Sequence, residues 1–433
     1  MKRKRFWKRA AVLGVVLFFC ATAAGKRQDG SRVEERTPVE LTFFLRKRET
    51  IHIFESIIES FNVSQDEVTV RAVVVPNPDI ELEMRAVRGE FPDIVEMIGS
   101  SEETVRKYAK GGYLAPLDGL GLLERMTDPE GYGPWLQTDG KTYIFPLSVN
   151  FKGIFLNCGL LERAGYGIPE SWEEFRELLE TIRADGELAM IFPDGGTWTY
   201  AQGWDTVYGA EWGNRSEAVR MAAEGILPLQ ENEGIVESLE RYLELRRFGQ
   251  EESWKTGYDE ALRRFAGGEA YMFMQGNWAY SAIKKQNPKI RLAFIPFPAD
   301  GREGKVYVKL DASIALSASC EHPEAARVFL DYLLSEEVAR EYAERTGSYS
   351  LIRGGNGDLS FAERFTEKFE KGWFELDTGI ASGYVDTMCE QMIQKLIMEP
   401  EETDILDCLA GVSEAARSRR EEISGDRGGA RSG

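Results

Sequence analysis

Residues 139–175 decide the fold, and they read DGKTYIFPLSVNFKGIFLNCGLLERAGYGIPESWEEF. The opening Asp139-Gly140 is a dipeptide typical of a tight hairpin turn. Two short apolar runs, residues 143–146 and 154–156, then predict two buried strands. Residues 171–174, SWEE, form a capping box, so a helix should begin there. A turn, two strands and a helix in this order predict a mixed α/β structure.

The part of the chain before this stretch alternates strands with helices. Strands are predicted at residues 39–45, 68–75 and 91–95, with helices at residues 50–62 and 81–87 between them. This alternation is typical of a parallel α/β sheet. Further along, residues 173–285 are predicted to be mostly helical, apart from a Gly- and Trp-rich interruption at residues 194–213.

Length and charge narrow the class of protein. With 433 residues, 43% of them hydrophobic, the chain is too long for one ordinary core, and two domains are predicted. The formal net charge is −19, and removal of the six basic residues among the first 23 would bring it to −25. So acidic a surface repels the phosphates of nucleic acids and anionic lipids. Nucleic acid is therefore excluded as a partner.

The N-terminus has the layout of a secretory signal peptide: a basic segment, the apolar residues 10–19, and then small residues. The apolar run is too short to remain as a membrane-spanning helix. Residues 1–23 are thus predicted to be a signal peptide, and residues 24–37 a polar linker. Two outcomes stay open, because Ala21-Thr22-Ala23 is a cleavage motif while Cys20 could be lipidated as a tether, although it follows the bulky Phe19.

The chain offers little reactive chemistry. Only two histidines are present and the cysteines form no C-x-x-C pair, so no metal site and no cofactor are expected. The later cysteines are interpreted as small buried side chains, although a disulfide between Cys389 and Cys408 is possible outside the cell. No nucleophile elbow or zinc-protease motif occurs, and nothing selects a catalytic carboxylate pair. The protein is predicted not to be an enzyme.

Five motifs occur in a fixed order along the chain. They are G-x-x-P-D-I-V at residues 89–95, a helix end closed by Gly111-Gly112, D-G-K-x-Y-x-x-P at residues 139–146, E-x-A-G-x-x-x-P-x-S-W-E-E-F at residues 162–175, and F-x-x-G-x-A-Y-M-x-x-x-G-x-W at residues 265–278. Together they resemble the extracellular solute-binding proteins of ABC importers, in particular the sugar-binding family that includes the relatives of maltose-binding protein. One departure is Tyr271, where relatives carry alanine.

The resemblance implies an α/β fold of the two-lobed, periplasmic-binding-protein-like type II, with a hinge and a ligand cleft between the lobes. Lobe 1 would comprise residues 38–148 plus 304–340, and lobe 2 would comprise residues 149–303 plus 341–422. The Gly-, Arg- and Ser-rich residues 423–433 are predicted to be a disordered tail.

Aromatic residues are the main candidates for ligand contact. A flat ring covers the apolar face of a sugar, while polar side chains hydrogen-bond its hydroxyl groups. The resemblance implies a stacking ring at Trp278 and a polar ligand-binding residue at Asn150. The other aromatic candidates, interpreted as loop residues, are Trp198, Trp204, Tyr349 and Tyr384.

Three charged residues complete the candidate site. Arg46 and Glu96 follow predicted strands, at the carboxyl edge where open α/β sheets bind ligands. Asp311 lies within a predicted strand and could accept a hydrogen bond from a ligand hydroxyl. The basic run at residues 46–48 could instead receive an anionic group, or it could be a solvated loop.

The resemblance implies that the chain is the extracytoplasmic substrate-binding component of an ABC importer. It would bind a sugar or oligosaccharide between its lobes, act as a monomer, and deliver the ligand to membrane permease subunits. Three alternatives stay open: an anionic sugar or other small solute as the ligand, a secreted glycan-acting enzyme, and a sensor that presents its ligand to a membrane receptor. The protein would be exported, either periplasmic or held at the cell surface.

Overall fold

The computed structural model describes residues 38–97, 102–299, 305–376 and 383–429. The predicted signal peptide (residues 1–23), the linker (residues 24–37) and Cys20 lie outside the described residues. From Pro38 onward the chain forms one compact unit.

Strands and helices alternate through the first part of this unit, and helices dominate the second part. The strands are β1 (Val39–Leu45), β2 (Val68–Val74), β3 (Ile94–Met97), β4 (Gln137–Thr138), β5 (Lys141–Thr142), β6 (Phe145–Asn157), β7 (Met190–Ile191), β8 (Met272–Gly276), β9 (Leu292–Ile295), β10 (Val306–Leu316), β11 (Tyr349–Ser350) and β12 (Phe374–Leu376). The helices are α1 (Ile51–Ser64), α2 (Pro78–Arg88), α3 (Glu102–Lys110), α4 (Pro129–Tyr132), α5 (Cys158–Ala164), α6 (Trp172–Ala184), α7 (Trp198–Glu211), α8 (Arg215–Ala223), α9 (Glu233–Glu244), α10 (Tyr258–Ala266), α11 (Ala279–Gln286), α12 (Pro323–Leu333), α13 (Glu336–Thr346), α14 (Glu363–Glu370), α15 (Gly383–Met398) and α16 (Ile405–Gly429).

One large sheet joins most of the strands. Its order is β2-β1-β3-β10-β6-β8-β7, with β12 also on β10 and with β9 and β11 also on β6. β1 pairs in parallel with β2 and β3, which confirms the parallel α/β arrangement predicted for the first part of the chain. The central pairings that follow are antiparallel, so the sheet as a whole is mixed.

Two local signals in residues 139–175, the tight turn and the start of the helix, are confirmed. Asp139 and Gly140 have φ of 50° and 76° between β4 and β5, as a two-residue hairpin turn with two left-handed positions requires. The side chain of Ser171 accepts a hydrogen bond of 3.2 Å from the backbone N–H of Glu174, and α6 begins at Trp172. The serine cap therefore begins the helix where the sequence predicts it, while the Glu174 carboxylate accepts from the backbone N–H of Glu170 at 2.8 Å.

The two strands predicted within residues 143–156 are a single strand, β6, so that prediction is wrong. All 13 residues of β6 are buried. The polar residues at positions 148–152 interrupt the apolar pattern, but β10 pairs with this part of the strand and keeps it extended. Tertiary pairing, which the local pattern does not show, thus makes the strand continuous.

Strand β10 changes its partner along one edge. Residues 306–308 pair with β12, and residues 313–316 pair with β3. Between these two pairings Ala312 has a φ of +43°, a left-handed conformation that is strained for a residue with a Cβ atom. The change of partner therefore coincides with a strained position in the strand.

The Gly- and Trp-rich segment predicted as a loop is mostly helix α7, so that prediction is also wrong. The middle twelve residues of α7 are buried. The glycines of α7 do not interrupt the helix. They allow side chains of neighbouring elements to pack closely against its backbone. A Cβ atom on Gly203 would lie 2.4 Å from the hydroxyl oxygen of Tyr242, and one on Gly209 would lie 2.6 Å from a ring carbon of Tyr307.

Replacement of Gly203 by alanine should lower the free energy of unfolding by about 1–3 kcal/mol, because the Tyr242 ring would have to move within a filled core. The matched control is Gly411→Ala on α16, where a Cβ atom would meet nothing within 4 Å. That control should be neutral or stabilising by up to about 1 kcal/mol. Denaturant titration of both variants measures the difference, and equal effects would contradict the packing role of Gly203.

The two faces of β6 enter two different cores. Phe155 belongs to a core that surrounds β1, β3 and β10. Its neighbours Ile154 and Leu156 belong to a second core, to which α6, α7, α9 and α15 contribute. Successive side chains of a strand point to opposite faces, so one strand supplies both cores.

The C-terminal helix α16 extends to Gly429. Residues 423–429, which the sequence analysis assigned to a disordered tail, are therefore helical, as a continuation of the preceding helix-forming stretch AARSRREE. The four later cysteines, Cys158, Cys320, Cys389 and Cys408, are free thiols. None of the helices among the described residues combines the length and the apolar character required to cross a bilayer.

Candidate functional site

A strip of polar side chains runs along the central pair of strands. Residues 148, 150 and 152 of β6 alternate along the strand and share one face, and antiparallel pairing places residues 311, 309 and 307 of β10 directly opposite them. We call this set the polar strip; its members are Ser148, Asn150, Lys152, Tyr307, Lys309 and Asp311. All of these except the half-buried Lys309 are buried. Polar groups at this depth need partners, either from the protein or from a ligand.

Helix α7 lies against the polar strip. The Nζ atom of Lys152 is 2.9 Å from a carboxylate oxygen of Asp205, and Gly209 contacts the ring of Tyr307. Trp198 and Gln202 lie seven and three residues before Asp205, so all three share one face of the helix. The helix therefore presents Gln202 and Trp198 on the side that faces the sheet.

Several buried polar atoms at this junction have no hydrogen-bond partner among the described residues. They are the side-chain oxygens of Ser148 and Asn150, both amide atoms of Gln202, and Nε of Arg46. Leaving such an atom unpaired costs about 1–3 kcal/mol. Bonds from ligand hydroxyl groups would remove that cost.

Two tryptophans and one tyrosine form the aromatic part of the site. Trp278 is half-buried at the start of α11, directly after β8. Trp198 is 43% exposed, and its ring lies 5.4 Å from the ring of Tyr258. Burial raises the pKa of Tyr258, the carboxylate of Glu49 raises it further, and the neighbouring Trp278 indole opposes the shift. Tyr258 is therefore close to both tryptophans and to the loop after β1.

Glu96, predicted to bind ligand, instead holds the loop after β1. It is fully buried and accepts backbone N–H bonds from Arg46 at 2.7 Å and Lys47 at 3.0 Å. The hydroxyl of Thr50 lies 3.4 Å from its other oxygen. Burial raises the pKa of Glu96 to about 7, against the opposing effects of the hydrogen bonds and of Lys47. Its role is structural, because both carboxylate oxygens contact the protein.

Asp311 is likewise engaged inside the protein. Its two oxygens lie 2.7 and 2.8 Å from Nζ of Lys47, and both side chains are almost completely buried. The basic run at residues 46–48 is therefore not simply a solvated loop. Each oxygen of Asp311 accepts from Lys47, and a ligand-binding role for Asp311 stays a prediction. Arg46 binds the exposed Asp79, and its buried Nε has no hydrogen-bond partner among the described residues.

Two aromatic candidates lie in the protein interior instead of facing the strip. Trp204 has no exposed surface, and its indole N–H donates to the hydroxyl of Ser238 at 2.8 Å. Tyr349 is buried, with its ring 5.0 Å from Phe369 and its hydroxyl 3.1 Å from Glu370. A ring with both faces covered cannot stack on a sugar, so we correct both assignments to core packing.

The remaining candidates divide by location. Tyr384 is half-exposed at the start of α15, where Arg419 lies 5.9 Å from its ring centre, and no described contact joins it to the polar strip. Asn150, Trp198 and Trp278 do lie at or beside the strip, and their ligand-binding roles stay predictions.

Sequence reasoning missed Gln202, Lys152 and Tyr258. One signal was available: in residues 146–152, PLSVNFK, polar residues alternate with apolar ones, which indicates a strand with one polar face. Gln202 gave no such signal, because it lies within a segment that was interpreted as a loop. Only the helical phase of α7 shows that Gln202 and Asp205 share a face.

A comparison with protein families identifies the chain. The sequence profile described as bacterial extracellular solute-binding protein matches residues 54–340. The chain belongs to this family. The resemblance drawn from the five motifs is therefore confirmed.

Curated and solved relatives agree with this family. The multiple sugar-binding protein of Streptococcus mutans is 25% identical over 360 residues, which cover 82% of this chain and 85% of that protein. The structure of RafE in complex with raffinose is 22% identical, covers 88% of this chain and 100% of that chain, and has a TM-score of 0.76. The structure of a Bacillus licheniformis sugar transporter in complex with stachyose is 18% identical and has a TM-score of 0.67. The match covers 88% of this chain and 99% of that chain. The predicted type II, two-lobed α/β fold is confirmed.

Proposed function

We propose that this protein binds a neutral sugar or oligosaccharide at the polar strip and delivers it to the permease subunits of an ABC importer. The names of its relatives support a sugar: one is a multiple sugar-binding protein, and solved neighbours hold raffinose and stachyose. Export to the cell exterior agrees with the extracellular family. Whether Cys20 is lipidated or the chain is cleaved after Ala23 would follow from the mass of the mature protein.

The observation that carries this proposal is the set of unpaired polar atoms beside half-exposed indole rings. Asn150 and Gln202 together offer two acceptor oxygens and one amide nitrogen that have no hydrogen-bond partner in the part of the chain that the structure describes. Trp278 and Trp198 supply flat apolar surface next to them. A sugar presents hydroxyl groups at its edge and C–H groups on its face, so one ligand could satisfy both kinds of surface.

The charges around the strip favour a neutral ligand over an anionic one. Lys47 is paired with Asp311, Lys152 with Asp205, and Arg46 with Asp79. A uronate or sugar phosphate would have to compete with a carboxylate for each of these cations. Tight binding of glucuronate with weak binding of neutral sugars would decide for the anionic alternative.

We further propose that the protein performs no covalent chemistry and works as a monomer. Glu96, Asp205 and Asp311 each bind a cation or backbone N–H groups inside the protein, so none of the three is set up as a free acid or base. Release of products from raffinose, stachyose or chitin oligosaccharides during incubation would instead identify a glycan-acting enzyme.

The division into lobes, residues 38–148 plus 304–340 and residues 149–303 plus 341–422, also belongs to this proposal. Strands β6 and β10 run from one group of strands to the other, and β10 exchanges β12 for β3 between residues 308 and 313. The hinge would therefore lie in this part of β10. Ligand would favour the closed arrangement only through contacts that the open one lacks.

A thermal-shift screen followed by calorimetry tests the proposed function. Raffinose, stachyose and chitin oligosaccharides form the panel, with glucuronate as the charged comparison. A ligand at one hundred times its Kd should stabilise the protein by about 2.7 kcal/mol and raise its Tm. A Tm that no sugar changes at millimolar concentration would count against sugar binding.

Trp278→Ala should weaken the binding of the best sugar by roughly 1–3 kcal/mol, because the ring would no longer cover the apolar face of the ligand. That loss corresponds to about 5- to 150-fold in Kd. The matched control is Trp373→Ala, since Trp373 is 38% exposed but lies beyond the strip, in a surface groove with Arg364 and Lys371. Calorimetry should give an unchanged Kd for the control, and equal losses would refute the stacking role.

A further inference from the structure

The side chain of Asn277 occupies a place in the central sheet that a backbone group would normally fill. On the second edge of β6, β11 pairs with Ser148 and Val149, and β8 pairs from Lys152 onward. Phe151 lies between these pairings. Its carbonyl accepts the backbone N–H of Asn277 at 3.0 Å, and its N–H donates to the side-chain oxygen of Asn277 at 2.8 Å.

The side-chain oxygen of Asn277 takes the role of a backbone carbonyl because the backbone carbonyl of Asn277 is already bonded elsewhere. The chain turns from β8 into α11 at this point, and the backbone carbonyl of Asn277 accepts the N–H of Tyr280 at 2.9 Å. That carbonyl is therefore not available to the sheet, and the side-chain oxygen takes its place. The amide nitrogen donates to the carbonyl of Gly347 at 2.7 Å, so Asn277 also ties the turn to the segment that leads into β11.

Phe151 and Asn277, which these hydrogen bonds join, are each adjacent in sequence to a candidate ligand-binding residue. Asn150, directly before Phe151, has the unpaired side-chain oxygen of the polar strip. Trp278, directly after Asn277, folds its ring back over Gly276, where a Cβ atom would lie 1.9 Å from the indole. One fully buried side chain thus connects two candidate ligand groups, one on β6 and the other at the start of α11.

We propose that Asn277 is a positioning residue that holds the Trp278 indole and the Asn150 amide in fixed relation, so that one sugar ring can contact both. Asn277 touches no ligand itself. It acts by fixing the turn after β8 against β6 and Gly347. This inference rests on the proposed function for its ligand, but the position of the Trp278 ring can be measured without one.

The first test uses no ligand. In protein labelled with ¹⁵N-tryptophan, the Trp278 indole signal is assigned with Trp278→Phe. Asn277→Asp keeps the acceptor and removes the donor to Gly347, and Asn277→Ala removes both. Either variant should shift or broaden the Trp278 signal while the signal of the core residue Trp204 stays in place. An unchanged Trp278 signal in a folded variant would overturn the proposal.

The second test measures affinity in a double-mutant cycle. Asn277→Ala should weaken the best sugar about tenfold in the natural background and less than twofold in the Trp278→Ala background. A purely structural role would lower the Tm but leave Kd for the folded protein unchanged, and that result would overturn the proposal. Equal losses in both backgrounds would do the same.

Asn287→Asp is the matched control for both tests. Asn287 lies at the other end of α11, and its amide makes bonds of the same kind, donating to the carbonyl of Ala266 at 2.9 Å and accepting from Lys289 at 3.2 Å. This variant should leave the Trp278 signal and the sugar affinity unchanged. If the natural protein binds no sugar, the proposed function fails, while the NMR comparison still decides whether Asn277 fixes the ring.

Discussion

Lys47→Met should lower the free energy of unfolding by about 3–5 kcal/mol. The side chain of Lys47 is 8% exposed and that of Asp311 is 3% exposed, and both carboxylate oxygens of Asp311 lie within 2.8 Å of the ammonium group. Methionine fills similar space but leaves Asp311 as a buried charge without its cation. Denaturant titration at pH 7 would measure the loss.

Two comparison variants separate this effect from a general response to losing a lysine. Lys371→Met removes an ion pair with Glu367 whose side chains are 51% and 61% exposed, and it should change stability by less than about 1 kcal/mol. Lys47→Met combined with Asp311→Leu removes both buried charges and should recover most of the loss. If Lys47→Met costs no more than Lys371→Met, the buried pair is not important for stability.

Glu96→Gln should make the protein more stable above pH 7 by up to about 3 kcal/mol, and the gain should vanish near pH 4.5. The folded protein raises the pKa of Glu96 from 4.5 to about 7, so it holds the proton more tightly than the unfolded chain does. The stability linked to this group is therefore full below pH 4.5 and is lost as the pH rises through 7. Glutamine stays neutral and can keep accepting from Arg46 and Lys47.

The measurement is the unfolding free energy of both proteins at pH 5, 6, 7 and 8. Glu59→Gln, an exposed change on α1, should stay within about 0.5 kcal/mol of the natural protein throughout. A Glu96→Gln variant that is less stable than the natural protein at pH 8 would show that the ionised carboxylate, and not its neutral form, is the better partner for the loop.

The fold could be predicted from the sequence wherever local sequence signals agree with the tertiary structure. The Asp139-Gly140 turn and the Ser171 cap depend on nearby backbone geometry, so the residues alone predict them. The length of β6 was not accessible in this way, because its polar middle is kept extended by β10, which is more than 150 residues away in the sequence. Helix α7 was missed for a related reason: Gly203 and Gly209 serve packing against Tyr242 and Tyr307, which no local pattern shows.

Only part of the candidate site could be predicted from the sequence. The family motifs predict Asn150 and Trp278 as ligand-binding residues, and the structure places Asn150 within the polar strip and Trp278 beside it. The charged candidates Glu96 and Asp311 lie on the strands where the sequence predicts them. Glu96, however, accepts from backbone N–H groups of the loop after β1, and Asp311 accepts from the Lys47 ammonium group. Sequence predicts that such a residue is near a site, whereas only the structure shows whether its hydrogen-bonding capacity is already used.

Strand β6 also bears on how mutations in this chain combine. Ile154 and Phe155 are neighbours in sequence but belong to different cores. A substitution at either position can shift the backbone that both cores share. Its effect on packing can therefore extend from one core to the other. Substitutions at residues 154 and 155 should therefore combine non-additively although they lie in different cores, whereas substitutions at distant positions should add.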